Sequence, residues 1–430
     1  MEKKVSVNNT GIDSAGLTAD YMQAIAEFIW NGFDAGASSI HIDFETNELD
    51  YISSLSVTDN GEGIDRSTID ESFGSFMDSM KRAGFQKNSS RLKGNKGKGR
   101  FSFAAFSGLA RWKTCYQDPA SGQAMEYTIT VKSSSKDKFE FDDISISDKP
   151  GTGTKVSFYE LFDVTAYSFS SPGFINFLGQ EFGWFLFLNK DKNYTIYIND
   201  EPVGYDHLMA QQEVFLVPVI EDDKETTFKA TFIRWVHKIG DKFYFYFLDS
   251  KQKEVVKELT SFNNNAIGFY HSVYVESPFF DNFNVNDKEQ SLSLFEIQSK
   301  HSPVFKILQN RLHDLVGDKQ KDFIKLQAAD TLITSFEKTG ILPKFSEEEE
   351  DIKNDLVNVL KTIYTIEPRL FMALGREQQK MSIGFIHLLL SSDRRKDIAY
   401  LISQTIKLTV EEQHALRMVL KKPELESTRN

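Results

Sequence analysis

The chain has 430 residues, 40% of them hydrophobic and 13% aromatic, which is enough to bury real cores and to build about three domains. A formal net charge of −12 argues against a broad nonspecific nucleic-acid surface, although Lys81 to Arg100 is a local basic stretch. Cys115 is the one cysteine, so a disulfide framework and a zinc cluster are excluded. With no apolar signal core and no run of about 18 uncharged apolar residues, a cytoplasmic chain without a membrane span is expected.

Residues 1–20 are polar and read as a frayed terminus. From Tyr21, the spacing of Ala24, Ile25, Phe28 and Ile29 predicts an amphipathic helix. Glu27 and Asn31 are four residues apart, which stacks them on one helix face. Taken by themselves, they fit a solvated face. Ile40 to Phe44 alternates like a half-buried strand, and Leu55 to Thr58 is a second strand running into Asp59, Gly61 and Gly63. The segment from Asp65 to Arg91 starts as a short apolar-spaced helix and becomes small, polar and basic, the composition of a surface loop. Gly94-Asn-Lys-Gly-Lys-Gly-Arg100 opens into an apolar helix. Free amides, bare glycine backbone and Lys96, Lys98 and Arg100 together predict an anion cradle.

Strands are expected over Ala110–Tyr116, Met125–Val131, Phe139–Ile146 and Lys155–Tyr159, the last fed by a tight turn at Gly151-Thr-Gly-Thr154. Phe174 to Phe187 reads as a buried helix and Tyr194 to Val203 as a hairpin. More strands are expected at Val214–Ile220, Phe228–Val236 and Lys242–Leu248, then a long helix from Ser302 to roughly Phe336. Lys338 to Asp351 is a linker and helix start. Residues 351–422 are helical by pattern, with a capping box at Thr409–Glu412 and Pro423 as the stop. The expected division is 1–205, 206–337, a linker at 338–350, and a helical bundle at 351–430.

Glu-x-x-x-Asn, Asp-x-Gly-x-Gly, Gly-x-x-Gly-x-Gly and Gly-Thr, in that order, resemble the four nucleotide-binding boxes of the GHKL superfamily. These are the ATPases of gyrase B, heat-shock chaperones, histidine kinases and the mismatch-repair protein MutL. The local likeness is nearest to MutL and its relatives, at Asn31-Gly-Phe-Asp-Ala-Gly-Ala37 and Asp59-Asn-Gly-Glu-Gly-Ile64. The resemblance implies a GHKL (Bergerat) α/β sandwich with a mixed sheet, a transducer-like α/β domain, and a helical C-terminal bundle.

It also implies Mg2+-dependent binding of ATP and slow hydrolysis to ADP and phosphate. In that reading Glu27 is the general base and Asn31 holds Mg2+. Asp34 orients the site, and Asp59 accepts from the adenine amino group beside Gly61 and Gly63. Gly94, Gly97, Lys98, Gly99 and Arg100 wrap the phosphates, and Thr154 completes the adenine end. The segment from Asp65 to Arg91 matches the lid that folds over nucleotide. Lys288, in a stretch that departs from the family pattern, stands where a lysine reaches the γ-phosphate. The implied partners are a second copy, pairing when ATP is bound and reached by residues 1–20 if these are an arm and not a frayed end, and a protein effector on the helical bundle, as in a bacterial antiphage system. The other readings are a MutL-like DNA-repair ATPase and a nonhydrolysing nucleotide sensor.

Overall fold

The computed structural model describes residues 2–4, 17–69, 99–148, 150–240, 242–263, 267–285, 298–346 and 349–421. It divides into two compact units, Met1–Thr260 with Tyr270–Ile307, and Ser261–Phe269 with Leu308–Asn430.

The first unit begins with β1 (Glu2–Lys4) and α1 (Tyr21–Asp34), followed by β2 (Ser39–Thr46) and β3 (Ile52–Asp59). A turn at Gly99–Ala105 leads to β4 (Ser107–Gln117), β5 (Ala124–Lys132), β6 (Lys138–Phe141), β7 (Ser145–Ile146) and β8 (Gly153–Leu161). Then come α2 (Ala166–Ser170), α3 (Pro172–Leu188), β9 (Thr195–Ile198) and β10 (Glu201–Pro202). These ten strands form one sheet in the order β1-β6-β5-β4-β8-β3-β2-β9-β10, with β7 paired to β5. The pairing of β2 with β9 is parallel and the other pairings are antiparallel, so the sheet is mixed, as expected.

Alternate residues point to one buried face: Ile40 and Ile42, Leu55 and Val57, Ala110 and Trp112, Val156 and Phe158. That period of two lets a single sheet face take the helices. α1 covers it with Ala24, Ile25, Phe28 and Ile29, and Phe28 meets Phe158 edge-on at 5.1 Å. Trp30 lies among Phe33, Phe182, Trp184 and Phe185, 4.8 Å from Phe182, with its Nε1 donating to Glu181 Oε1 at 2.9 Å.

A second sheet in the same unit contains β11 (Met209–Glu221), β12 (Lys224–Trp235), β13 (Tyr244–Leu248), β14 (Glu254–Leu259) and β15 (Tyr270–Glu276), in the order β11-β12-β15-β13-β14. β14 and β15 were not anticipated. Among the described residues β14 pairs with β13 alone, and its charged Glu254, Lys257 and Glu258 mask the alternation. α3 is rich in apolar residues because it is buried against two cores. Phe174, Leu178 and Phe182 join the first core, while Phe187 and Leu188 pack with Trp235, Tyr246 and Tyr274 of the second sheet. Tyr274 donates its hydroxyl to Trp184 O at 3.0 Å.

The long helix expected from Ser302 is α4 (Pro303–Phe323), a π-turn at Ile324–Ala328, and α5 (Ala329–Thr339), which Gly340 ends at φ +68°. The second unit continues through α6 (Glu350–Ile366), α7 (Arg369–Met372), α8 (Arg376–Leu390), α9 (Asp397–Thr405) and α10 (Val410–Val419). Leu356, Val359, Leu360, Ile383, Ile398 and Leu416 form its interior. The capping box closes as expected: Thr409 Oγ1 accepts from Glu412 N at 3.2 Å and Glu412 Oε2 from Thr409 N at 2.9 Å. Among the described residues no helix is long and apolar enough to cross a membrane.

Trp30 is 2% exposed and sits between helix and helix rather than on the sheet alone. Truncating it to alanine is expected to destabilise the first unit by about 3–5 kcal/mol, read as a lowered urea midpoint. A midpoint shift worth less than about 1 kcal/mol would contradict this packing.

Candidate functional site

α1 starts at Asp20, whose Oδ1 accepts from Met22 N at 2.9 Å. With the apolar face committed to the sheet, Glu27 and Asn31 lie half-buried along the helix. Gly99 packs directly on them. A Cβ built there would stand 2.6 Å from Glu27 Oε2 and 3.5 Å from Asn31 Nδ2, so only bare backbone fits without moving the carboxylate. Ser102 Oγ, 2.6 Å from Gly99 O and 3.2 Å from Ala24 O, ties this turn to α1. The apolar helix expected after the glycine loop is a 3-10 turn of seven residues, because Phe101 and Phe103 must both be buried before the chain enters β4. Arg100 is itself buried, with its guanidinium 4.8 Å from the Phe101 ring centroid. Burial lowers its pKa to about 10, which leaves it charged at neutral pH.

Asp59 ends β3 opposite Thr154 of β8. Its Oδ1 accepts from Gly61 N at 2.8 Å and Thr154 N at 3.3 Å. Burial nevertheless dominates, pushing this carboxyl from 3.8 up to about 6 against the pull of those two donors. α1 passes close above it: a Cβ on Gly32 would be 3.0 Å from Asp59 Cβ. Thus one helix carries Asn31 against the Gly99 turn and, at the next residue, Gly32 against Asp59. Asp34 is half-buried at the end of the same helix.

The glycines after Asp59 have distinct jobs. Gly63 takes φ +74° and runs so near β4 that a Cβ would be 2.1 Å from Cys115 O. Gly61 abuts Ala35 O, where a Cβ would come within 2.7 Å. Thr114 was missed in the sequence and is central here. Fully buried on β4, its Oγ1 accepts from Ile64 N at 2.8 Å and lies 3.1 Å from Thr154 Oγ1, joining the Asp59 loop to β8. Thr152 Oγ1 donates to Gly61 O at 2.7 Å on the other side. A lone threonine inside a strand pattern carries no signal that would mark it. Gly94, Gly97, Lys98 and Lys288, with the lid-like segment after Ile69, lie outside the described residues.

Residues 19–152 match the sequence model of the family described as histidine kinase-, DNA gyrase B- and HSP90-like ATPase. That span includes α1, Asp59 and the Gly99 turn and stops just short of Thr154. No curated protein matches the chain. Among solved structures, the ATPase region of Saccharomyces cerevisiae topoisomerase II aligns at 11% identity and a TM-score of 0.31, covering 60% of this chain and 72% of that one.

The Asp59 carboxyl holds its proton more tightly in the folded chain than in the unfolded one, so between about pH 4 and 6 the native state binds the extra proton. Its contribution therefore favours folding below that window and is lost as pH rises through it. Wild type is expected to lose about 1–3 kcal/mol over this range relative to Asp59→Asn, which keeps an acceptor at Oδ1 but does not titrate. Urea unfolding of both proteins across pH checks it, and parallel profiles would contradict it.

Proposed function

We propose that the domain spanning residues 19–152, which matches the histidine kinase-, DNA gyrase B- and HSP90-like ATPase family, is a GHKL ATPase domain, and that the chain binds ATP with Mg2+ and hydrolyses it slowly as a conformational switch. The observation that carries this reading is the packing of bare Gly99 backbone on Glu27 and Asn31, with α1 continuing directly onto half-buried Asp59.

The residues suit the ligands. A glycine turn brings main-chain amides to an anion with no side chain of its own in the way, and a carboxamide oxygen beside a carboxylate is a donor set for a hard cation. Asn31 would hold Mg2+, which when bound neutralises phosphate charge. Glu27 would orient the attacking water and take its proton, and Asp34 would steady that end of the helix. Asp59 would accept from the adenine amino group while Gly61 and Gly63 let the base lie close, with Thr154 fixed by Thr114 beside it. Gly94, Gly97, Lys98 and Gly99 would wrap the phosphates, and Arg100 would add positive charge from behind the turn. Positioning and charge neutralisation supply most of the rate in phosphoryl transfer, so water would attack the γ-phosphorus and ADP would leave without a covalent enzyme intermediate.

The proposal extends to the rest of the chain. Residues 1–205 are the nucleotide-binding domain, 206–337 the transducer-like domain with Lys288 as the lysine reaching the γ-phosphate, 338–350 a linker, and 351–430 a helical domain for a protein effector. Lid closure and pairing of two copies would pass the nucleotide state to that effector, in a cytoplasmic setting such as bacterial antiphage defence. α3, packed against both sheets, supports transmission between the first two domains.

Phosphate release from wild type and Glu27→Ala, with ATP affinity measured alongside, tests this directly. Hydrolysis is expected to fall at least 100-fold, roughly the contribution of a general base, while ATP is still bound. Asn31→Ala is expected to remove the Mg2+ dependence of binding. Equal turnover by wild type and Glu27→Ala would reject the base, and binding without turnover in both would leave a nucleotide sensor.

A further inference from the structure

The second unit holds a cleft that the nucleotide site does not use. It has a volume of about 1010 Å3 and is lined by residues from Ser392 to Lys421, on α9, α10 and the segments flanking them. Arg395, Lys396, Arg417 and Lys421 line it, in a chain whose net charge is −12. Lys396, Arg417 and Lys421 are exposed, whereas Arg395 is only 6% exposed. Its Nη2 lies 2.7 Å from Asp355 Oδ2, yet Nε and Nη2 are both buried and neither makes a hydrogen bond of acceptable geometry. A guanidinium paired to one carboxylate and lining a cleft can offer further N–H donors to a multi-oxygen anion there.

The charge in the cleft narrows the class. Four cations face Asp393 in the lining and Asp355 behind Arg395, a formal excess of two positive charges. That balances a phosphate monoester, which carries about −1.5 to −2 at neutral pH, better than a single carboxylate. The remaining lining supplies an organic body with a surface: Leu416 is buried in the floor and Tyr400, 64% exposed, presents a ring. We propose that this cleft binds an organic phosphate monoester, with the phosphate held by Arg395 and the rim cations and the organic part laid against Tyr400 and Leu416.

The test uses the full chain and phenyl phosphate, a monoester without a purine for the Asp59 site to select. Methyl resonances of Leu416 and Leu420 are followed by NMR during titration, so the readout is local to the cleft. Saturable shifts are expected, with affinity weakened roughly tenfold or more in Arg395→Gln, as for loss of one charge-assisted contact. Because Arg395→Gln removes a buried ion pair and can unfold the unit, the exposed double variant Arg417→Glu, Lys421→Glu is titrated too, and the same weakening is expected. Unshifted methyls, or the same affinity in the double variant, would overturn the site. An equal response to phenol would overturn the role of phosphate, and an equal response to inorganic phosphate would overturn the organic ester.

Discussion

The first unit depends on how closely main chain can approach α1. At Gly99 the absence of a side chain sets the turn on Glu27 and Asn31, and at Gly32 it sets the helix itself on Asp59. Both contacts are possible because α1 has already spent its apolar face on the sheet through Ala24, Ile25, Phe28 and Ile29. The polar residues are therefore fixed in direction by the core beneath them, and a site built this way inherits the rigidity of a packed helix.

The Asp59 corner is held by a different means, a short chain of hydrogen bonds around a half-buried carboxyl. Gly61 N and Thr154 N hold Oδ1, Thr114 Oγ1 binds Ile64 N, and Thr152 closes on Gly61 O. The bonds from Gly61 N and Thr154 N stabilise the charged form, but burial outweighs them and raises the carboxyl to about 6. A further donor from a ligand would shift that balance toward the carboxylate, so an acceptor raised in this way rewards a partner that can donate.

Much of this was legible in the sequence where one short-range rule sufficed. The period-two strands Ile40–Phe44 and Leu55–Thr58, the apolar stripe of α1 and the capping box at Thr409 each follow from local spacing. Glu27, Asn31 and Asp59 stood out because glycines surround them in a fixed order. What stayed hidden was decided by tertiary contact. Thr114 has an ordinary strand setting until β8 brings Thr154 to it, the π-turn at Ile324–Ala328 interrupts a run of good helix formers, and α3 reads as buried without revealing that two sheets bury it. Arg395 likewise looks like one of several basic residues in Asp393-Arg-Arg-Lys396 until Asp355 and the cleft distinguish it.

The proposed function depends on the Gly99 turn and α1 together holding a reacting phosphate. Gly99→Ala addresses it with one methyl group, since the new Cβ would displace the Glu27 carboxylate and touch little else. Phosphate release from ATP by this variant, with its fold verified by circular dichroism, is predicted to drop at least about tenfold, the cost of misplacing a base. Turnover equal to wild type would contradict the account.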